Sequence, residues 1–391
     1  MKSKALAIYI HIPFCVKKCL YCDFLSAPAT EETQKAYGRA VCQEIQNYKK
    51  SLLMKNLGVS EEQEEFIVTS VFFGGGTPSL ICGEEIAAIL NELRHKFHFS
   101  EDVEITIECN PGTVNEEKLN CYRKAGINRL SFGLQSASNE ELKKLGRIHT
   151  WEDFLESFSL ARKLGFSNIN IDLMSALPGQ TEESYEQTLQ KVLLLEPEHI
   201  SAYSLIIEEG TPFYEEYSSG LGLPDEDAER MMYQRTKELL ERKGYYRYEI
   251  SNYAKIGYEC RHNLCYWDGT DYIGFGLGAS SMVDHIRYHN CSDLSSYMMQ
   301  ASNPEQLWEE VTLLSLKEQM EEFMFLGLRC MRGISINGFE EKFGVTYHSI
   351  YGDVTKKMEK LHLIACKKNR IYLTEKGIDV SNYVLSEFLI E

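Results

Sequence analysis

Three cysteines within eight residues, Cys15-Val16-Lys17-Lys18-Cys19-Leu20-Tyr21-Cys22, constrain this chain more than any other stretch. The run from Ala5 to Ile12 before them reads as a buried strand, and Pro13 stops it. The thiols therefore fall on a loop at the C-terminal end of a first strand. Spaced C-x3-C-x2-C, three thiolates can hold three irons of a [4Fe–4S] cubane and leave the fourth iron open to a substrate or cofactor. A zinc site completed by Asp23 or His11 is the other reading. Zinc sites favour C-x2-C pairs that recur far apart, and no second pair is present.

The other nine of the twelve cysteines are scattered without pairing logic, which points to a reducing cytosol. The 391 residues suit one large domain and one small one. No apolar run is long enough to span a membrane. Lys2 and Lys4 ahead of Ala5 faintly mimic a secretory leader, but Pro13 and Cys15 interrupt it and no small-residue cleavage site follows. The net charge is −17. From Glu310 onward 11 Lys/Arg meet 12 Asp/Glu, so −16 of it lies in residues 1–309. Such a surface does not favour nucleic acid.

The first two-thirds alternate strands and helices. Expected strands are Leu6–Ile12, Val68–Phe73, Val103–Glu108, Arg129–Leu134, Asn168–Leu173 and His199–Leu205. Expected helices cover about Thr33–Leu53, Glu84–His95, Glu116–Ala125, Trp151–Leu164 and Glu182–Leu195, then Asp225–Lys243. Alternation of this kind gives a parallel sheet covered by helices. Six units suit a partial (β/α)6 barrel of α/β class, with an open doubly wound sheet as the alternative.

Polar motifs fall at successive strand ends, where barrels keep their chemistry. Tyr9 and His11 alternate with Ile8, Ile10 and Ile12, which turns both towards a barrel interior. Gly74-Gly75-Gly76-Thr77-Pro78 follows the second strand, and its glycines let a ligand lie against the backbone. It lacks the Lys-Ser/Thr of a P-loop. Glu108-Cys109-Asn110-Pro111 follows the third strand, and Ser131 to Ser136, with Gln135, ends the fourth. Arg147 lies in the next connection, and Asp172 precedes Leu177-Pro178-Gly179-Gln180-Thr181. Any one could be a cap or a turn; a series at consecutive strand ends reads as a binding site.

Together these segments resemble the coproporphyrinogen-dehydrogenase-like branch of the radical S-adenosylmethionine (SAM) superfamily, over nearly the whole length. The resemblance implies a [4Fe–4S] cluster on Cys15, Cys19 and Cys22, with SAM on its open iron. It implies Tyr9 beside the cluster and Gly75, Gly76 and Thr77 along the methionine moiety. Glu108, Gln135, Arg147 and Asp172 would reach the carboxylate, the ribose and other parts of SAM. The dehydrogenases of this branch carry a fourth cysteine two positions after the third, where this chain has Phe24. They also carry an N-terminal extension, for which a cluster loop starting at residue 15 leaves no room. Both departures point to the heme chaperone family of the branch. That family has a His-Asn-x-x-Tyr-Trp motif, matched by His262-Asn263-Leu264-Cys265-Tyr266-Trp267. A neutral imidazole is a good heme ligand, so His262 is the expected one and Cys265 the second candidate. A structural role for the motif is the alternative.

The expected organisation is a core over 1–240, a connecting segment with the motif over 241–310, and a winged-helix-like domain over 311–391. A linker is expected near Ser302-Asn303-Pro304. The hairpin of the last domain should pair Leu361–Cys366 with Arg370–Thr374. Thr355 to Lys376 holds seven Lys/Arg against two Glu, read as a solvated face. The expected function is heme binding and transfer to an acceptor protein. The alternatives are a radical SAM enzyme acting on a tetrapyrrole, such as coproporphyrinogen III oxidase, and a nucleic-acid-binding regulator. The resemblance leaves room for a homodimer, and for peripheral membrane contact because many heme acceptors are membrane proteins.

Overall fold

The computed structural model of the chain describes residues 3–57 and 65–390; Lys2 of the leader-like stretch lies outside them. Six parallel strands run in chain order: β1 (Ser3–Ile12), β2 (Glu65–Gly75), β3 (His98–Cys109), β4 (Arg129–Gln135), β5 (Ile169–Ser175) and β6 (His199–Ser204). Helices Gly83–Lys96, Glu116–Ala125, Trp151–Lys163 and Glu182–Leu193 lie between them. This is the expected α/β barrel core. Ile8, Ile10 and Ile12 of β1 are buried against a core that includes Ile86, Ile89 and Leu90 of the helix after β2, each such side chain stabilising by roughly 1.5–3 kcal/mol. Helix Glu116–Ala125 begins on the side chain of Asn115 and stops at Gly126, whose φ of 95° suits glycine.

The expected helix over Thr33–Leu53 is two helices, Glu31–Asn47 and Lys50–Leu57. No proline or glycine breaks it. Tyr48 adopts φ −56° and ψ 131°, and its buried ring packs near Phe97, Phe275 and Trp308. Tertiary packing of one aromatic overrides local helix preference.

The sheet continues past β1 and β6. β7 (Tyr246–Arg247) and β8 (Asn252–Ala254) extend it antiparallel beyond β6. β9 (Asp271–Phe275) pairs parallel with β1, and β10 (Ser280–Val283), β11 (Ile286–Asn290) and β12 (Trp308–Leu313) follow antiparallel. The order β12-β11-β10-β9-β1-β2-β3-β4-β5-β6-β8-β7 runs edge to edge without closing. Where a linker was expected, Pro304–Gln306 forms a short 3-10 turn leading directly into β12.

From Leu316 a second core forms around Met324, Phe339, Tyr347, Tyr351 and Phe388. Three helices, Leu316–Gly327, Ile336–Phe343 and Tyr347–Lys360, precede a hairpin of β14 (Ile364–Lys367) and β15 (Arg370–Leu373), with β13 (Ile334–Ser335) on the far side of β15. The arrangement is winged-helix-like. It is tied to the larger sheet by Arg247–Glu375 at 2.9 Å and Arg287–Glu322 at 2.8 Å, and to the helix Arg261–Trp267 by Arg329 over the Trp267 ring. In the basic stretch Lys356 pairs with Asp353 and Lys357 with Glu387. Among the described residues no helix is long and apolar enough to cross a membrane.

Candidate cofactor site at the mouth of the barrel

The cysteine loop is held by its own backbone. Cys15 N–H donates to Ala27 O at 3.2 Å, Ala27 N–H to Pro13 O at 2.9 Å, and Leu20 N–H to Leu145 O at 3.1 Å. The last bond ties this loop to the connection that carries Arg147. Together the strand ends enclose a cavity of about 300 Å³. Cys15, Cys19 and Cys22 line it, with Gly75, Gly76, Thr77, Glu108, Gln135, Arg147 and Asp172. Ten of the twelve expected site residues thus converge on one space.

Each is aimed by its neighbours. Gly75 sits at φ 116°, and a Cβ there would run into the His11 ring. A Cβ on Gly76 would meet Phe14 O and Cys15 Sγ, so this backbone can lie against the thiols only as glycine. Cys15 Sγ stands 3.6 Å from Thr77 Oγ1. Gln135 is left-handed at φ 74°, at a register shift in the pairing of β4 with β5. That irregularity re-aims its side chain, whose Oε1 accepts from Tyr203 OH at 3.1 Å. Arg147 donates to Asn110 Oδ1, to Gly133 O at 2.6 Å and to Cys19 Sγ at 3.5 Å. Its Nε is buried without a partner.

Glu108 accepts from Gly75 N–H at 3.2 Å. Burial, and then the nearby Asp172, raise its carboxyl from 4.5 to about 8. Asp172 is also raised, mainly by burial, although Asn170 at 2.7 Å and Ser131 at 3.3 Å donate to it. Arg129 lowers both carboxyls without offsetting their burial, so the pair would welcome a cationic ligand. The sign of the pH dependence follows. A carboxyl raised on folding gives stability that is full below 4.5 and lost as pH rises through about 8. Glu108→Gln is therefore expected to flatten that loss. Denaturant midpoints should show the variant gaining on the order of 2 kcal/mol on the wild type between roughly pH 6 and pH 9.

Tyr9 and His262 are not in the cavity. Tyr9 points into the barrel interior, where its OH meets His11 Nδ1 at 3.1 Å and its ring lies 6.3 Å from those of Phe72 and His262. His262 lies on the short helix Arg261–Trp267 and is 1% exposed. Its Nδ1 is 3.0 Å from Ser70 Oγ and its Nε2 is 3.0 Å from Tyr266 OH. Glu104 draws this helix inward, accepting from Arg261 N–H and His262 N–H at 3.2 Å each. Both ring nitrogens of His262, the expected heme ligand, are hydrogen-bonded inside the protein and face away from the cavity. Cys265, the second candidate, is half-buried beside Ser70. His11, a candidate zinc ligand, is engaged by Tyr9 and by Leu25 O at 3.0 Å.

Sequence reasoning assigned nothing to the end of the sixth strand. Tyr203, Leu205 and Ile206 of that segment line the cavity. The signal available was position alone, since every other strand end already carried a motif.

Residues 9–192 match the family described as the Radical SAM superfamily, and residues 314–380 match the HemN C-terminal domain. The curated protein "Heme chaperone HemW" of Lactococcus lactis is 36% identical, covering 100% of this chain and 99% of the relative. Its namesake in Bacillus subtilis is 36% identical over 98% and 99%. This chain belongs to the heme chaperone HemW family. The solved structure of coproporphyrinogen III oxidase (HemN) from Escherichia coli, a radical SAM enzyme, superposes with a TM-score of 0.82 at 25% identity, covering 99% of this chain and 90% of that one. Within the HemW family, the radical SAM architecture implies a [4Fe–4S] cluster and SAM. The residues present fit them: three thiols with no disulfide partner, two glycines cleared of side chain, and a buried guanidinium nitrogen left unpaired.

Proposed function

We propose that this chain is a heme chaperone, which binds heme and passes it to an acceptor protein on a SAM-binding [4Fe–4S] scaffold in the cytoplasm. The observation that carries the reading is end-to-end likeness, at 36% identity, to a protein named for that function. In this reading Cys15, Cys19 and Cys22 hold the cluster, which supplies an iron with an open position. Gly75, Gly76 and Thr77 lie along the methionine part of SAM. Arg147 offers a guanidinium to the carboxylate, and Glu108, Gln135 and Asp172 offer acceptors to hydroxyls and the ammonium. Tyr9 supports the site from the barrel interior. Phe24 in place of a fourth cysteine favours a carrier over an oxidase.

The test is a heme titration of anaerobically reconstituted protein, followed by absorbance, with SAM cleavage assayed in the presence of coproporphyrinogen III. Saturable heme binding with no substrate-linked 5′-deoxyadenosine is the expected result. Deoxyadenosine that depends on coproporphyrinogen, with weak heme binding, would replace this reading with the oxidase.

A further inference from the structure

Heme needs an apolar seat for its ring and open water for its propionates. The buried helix of the His-Asn-x-x-Tyr-Trp motif offers neither, because His262 is 1% exposed and hydrogen-bonded at both nitrogens. The mouth of the barrel offers both. Phe24, on the cysteine loop, is 60% exposed, and Ile206, just past β6, is 68% exposed. Both line the same cavity from different elements, with Leu205 and the 37%-exposed Tyr203 beside Ile206. Large apolar side chains left in water around a concave opening mark a ligand surface. Lys17, exposed at the same mouth, is a cation within this lining.

We propose that heme sits across the mouth of the barrel, its ring held between Phe24 and the Tyr203–Ile206 segment and its propionates turned outward to solvent and Lys17. This rests on the heme chaperone reading above and locates its cargo. The occupant is a planar amphipathic tetrapyrrole because the collar is continuous with the cavity that carries the cofactor residues. That cavity is lined by thiols, carboxyls and a guanidinium, and the same lining adds apolar Phe24, Leu205 and Ile206, with Lys17, Asp23 and Glu208 beside them. Cargo and cofactor thus lie in adjacent layers of one opening.

The test compares the full-length, anaerobically reconstituted wild type with the double variant Phe24→Ser/Ile206→Ser and with His262→Gln, each titrated with heme and separately with SAM. Phe24 and Ile206 are exposed, so the double variant is expected to fold and to keep its iron content and SAM affinity. Its heme affinity should fall at least about tenfold, a loss in keeping with removal of two large apolar contacts. His262→Gln should bind heme as the wild type does. Unchanged heme affinity in the double variant would overturn the proposed seat while leaving the chaperone reading intact. Unchanged affinity with slowed transfer to an acceptor would also overturn it, and would make the collar a protein contact. A wild type that fails to bind heme would instead remove the chaperone reading itself.

Discussion

Changing any one of Cys15, Cys19 or Cys22 to Ser should leave a folded protein with almost no cluster iron or sulfide and with SAM binding lost. A hydroxyl is a poor ligand to iron beside a thiolate, and a cubane missing one of three protein ligands is not retained. The fold should survive because the loop is secured by backbone hydrogen bonds from Cys15 to Ala27 and from Leu20 to Leu145. Far-ultraviolet circular dichroism of the three variants should match the wild type, while iron and sulfide analysis falls close to zero. Ser at Cys42 or Cys366, which lie away from the cavity, should change neither. Stoichiometric zinc in anaerobically purified wild type, with no sulfide, would defeat the cluster reading.

His262→Ala should act on stability and spare heme binding. It removes a buried ring packed against Phe72 and Tyr266, and it orphans the hydroxyls of Ser70 and Tyr266. Cavity and lost hydrogen bonds together cost about 3–4 kcal/mol, or a fall of roughly 5–10 °C in Tm. His262→Gln, which can restore one of the two bonds, should recover part of the loss. The imidazole also leaves a pH signature. Burial holds it down from 6.5 to about 3, so it stays neutral in the fold while the unfolded chain takes up a proton. Wild-type stability is therefore eroded as pH falls below 6.5 towards 3, by about 1.4 kcal/mol per pH unit for each such histidine. In His262→Gln that acid slope should be shallower by one histidine. A variant as stable as the wild type that binds no heme would restore His262 as the ligand.

Much of the site could be read from the chain because parallel strands buried on both faces appear as continuous apolar runs. Their polar endings then mark the catalytic end of a barrel. That logic brought Gly75, Glu108, Gln135, Arg147 and Asp172 to one cavity. It failed where burial depends on a distant partner. The motif from His262 to Trp267 reads equally as a heme ligand or as a structural element, and the carboxylate of Glu104 on β3 shows why it turns inward. Strands β7 and β8 have two and three residues, too short for alternation to register. Tyr48 breaks its helix for three aromatic neighbours drawn from three other segments.

The pairing of β1 with β9 has a consequence for how the protein is made. Leu6 to Ile10 wait for Asp271 to Phe275, so one edge of the first strand stays open while some 260 residues are added. At 5–20 residues per second that interval is roughly 10–50 s. The cysteine loop thus leaves the ribosome long before the barrel wall beside it is finished. An unpaired apolar edge and three free thiols share that interval, which makes aggregation and thiol oxidation during synthesis the characteristic hazards of this fold.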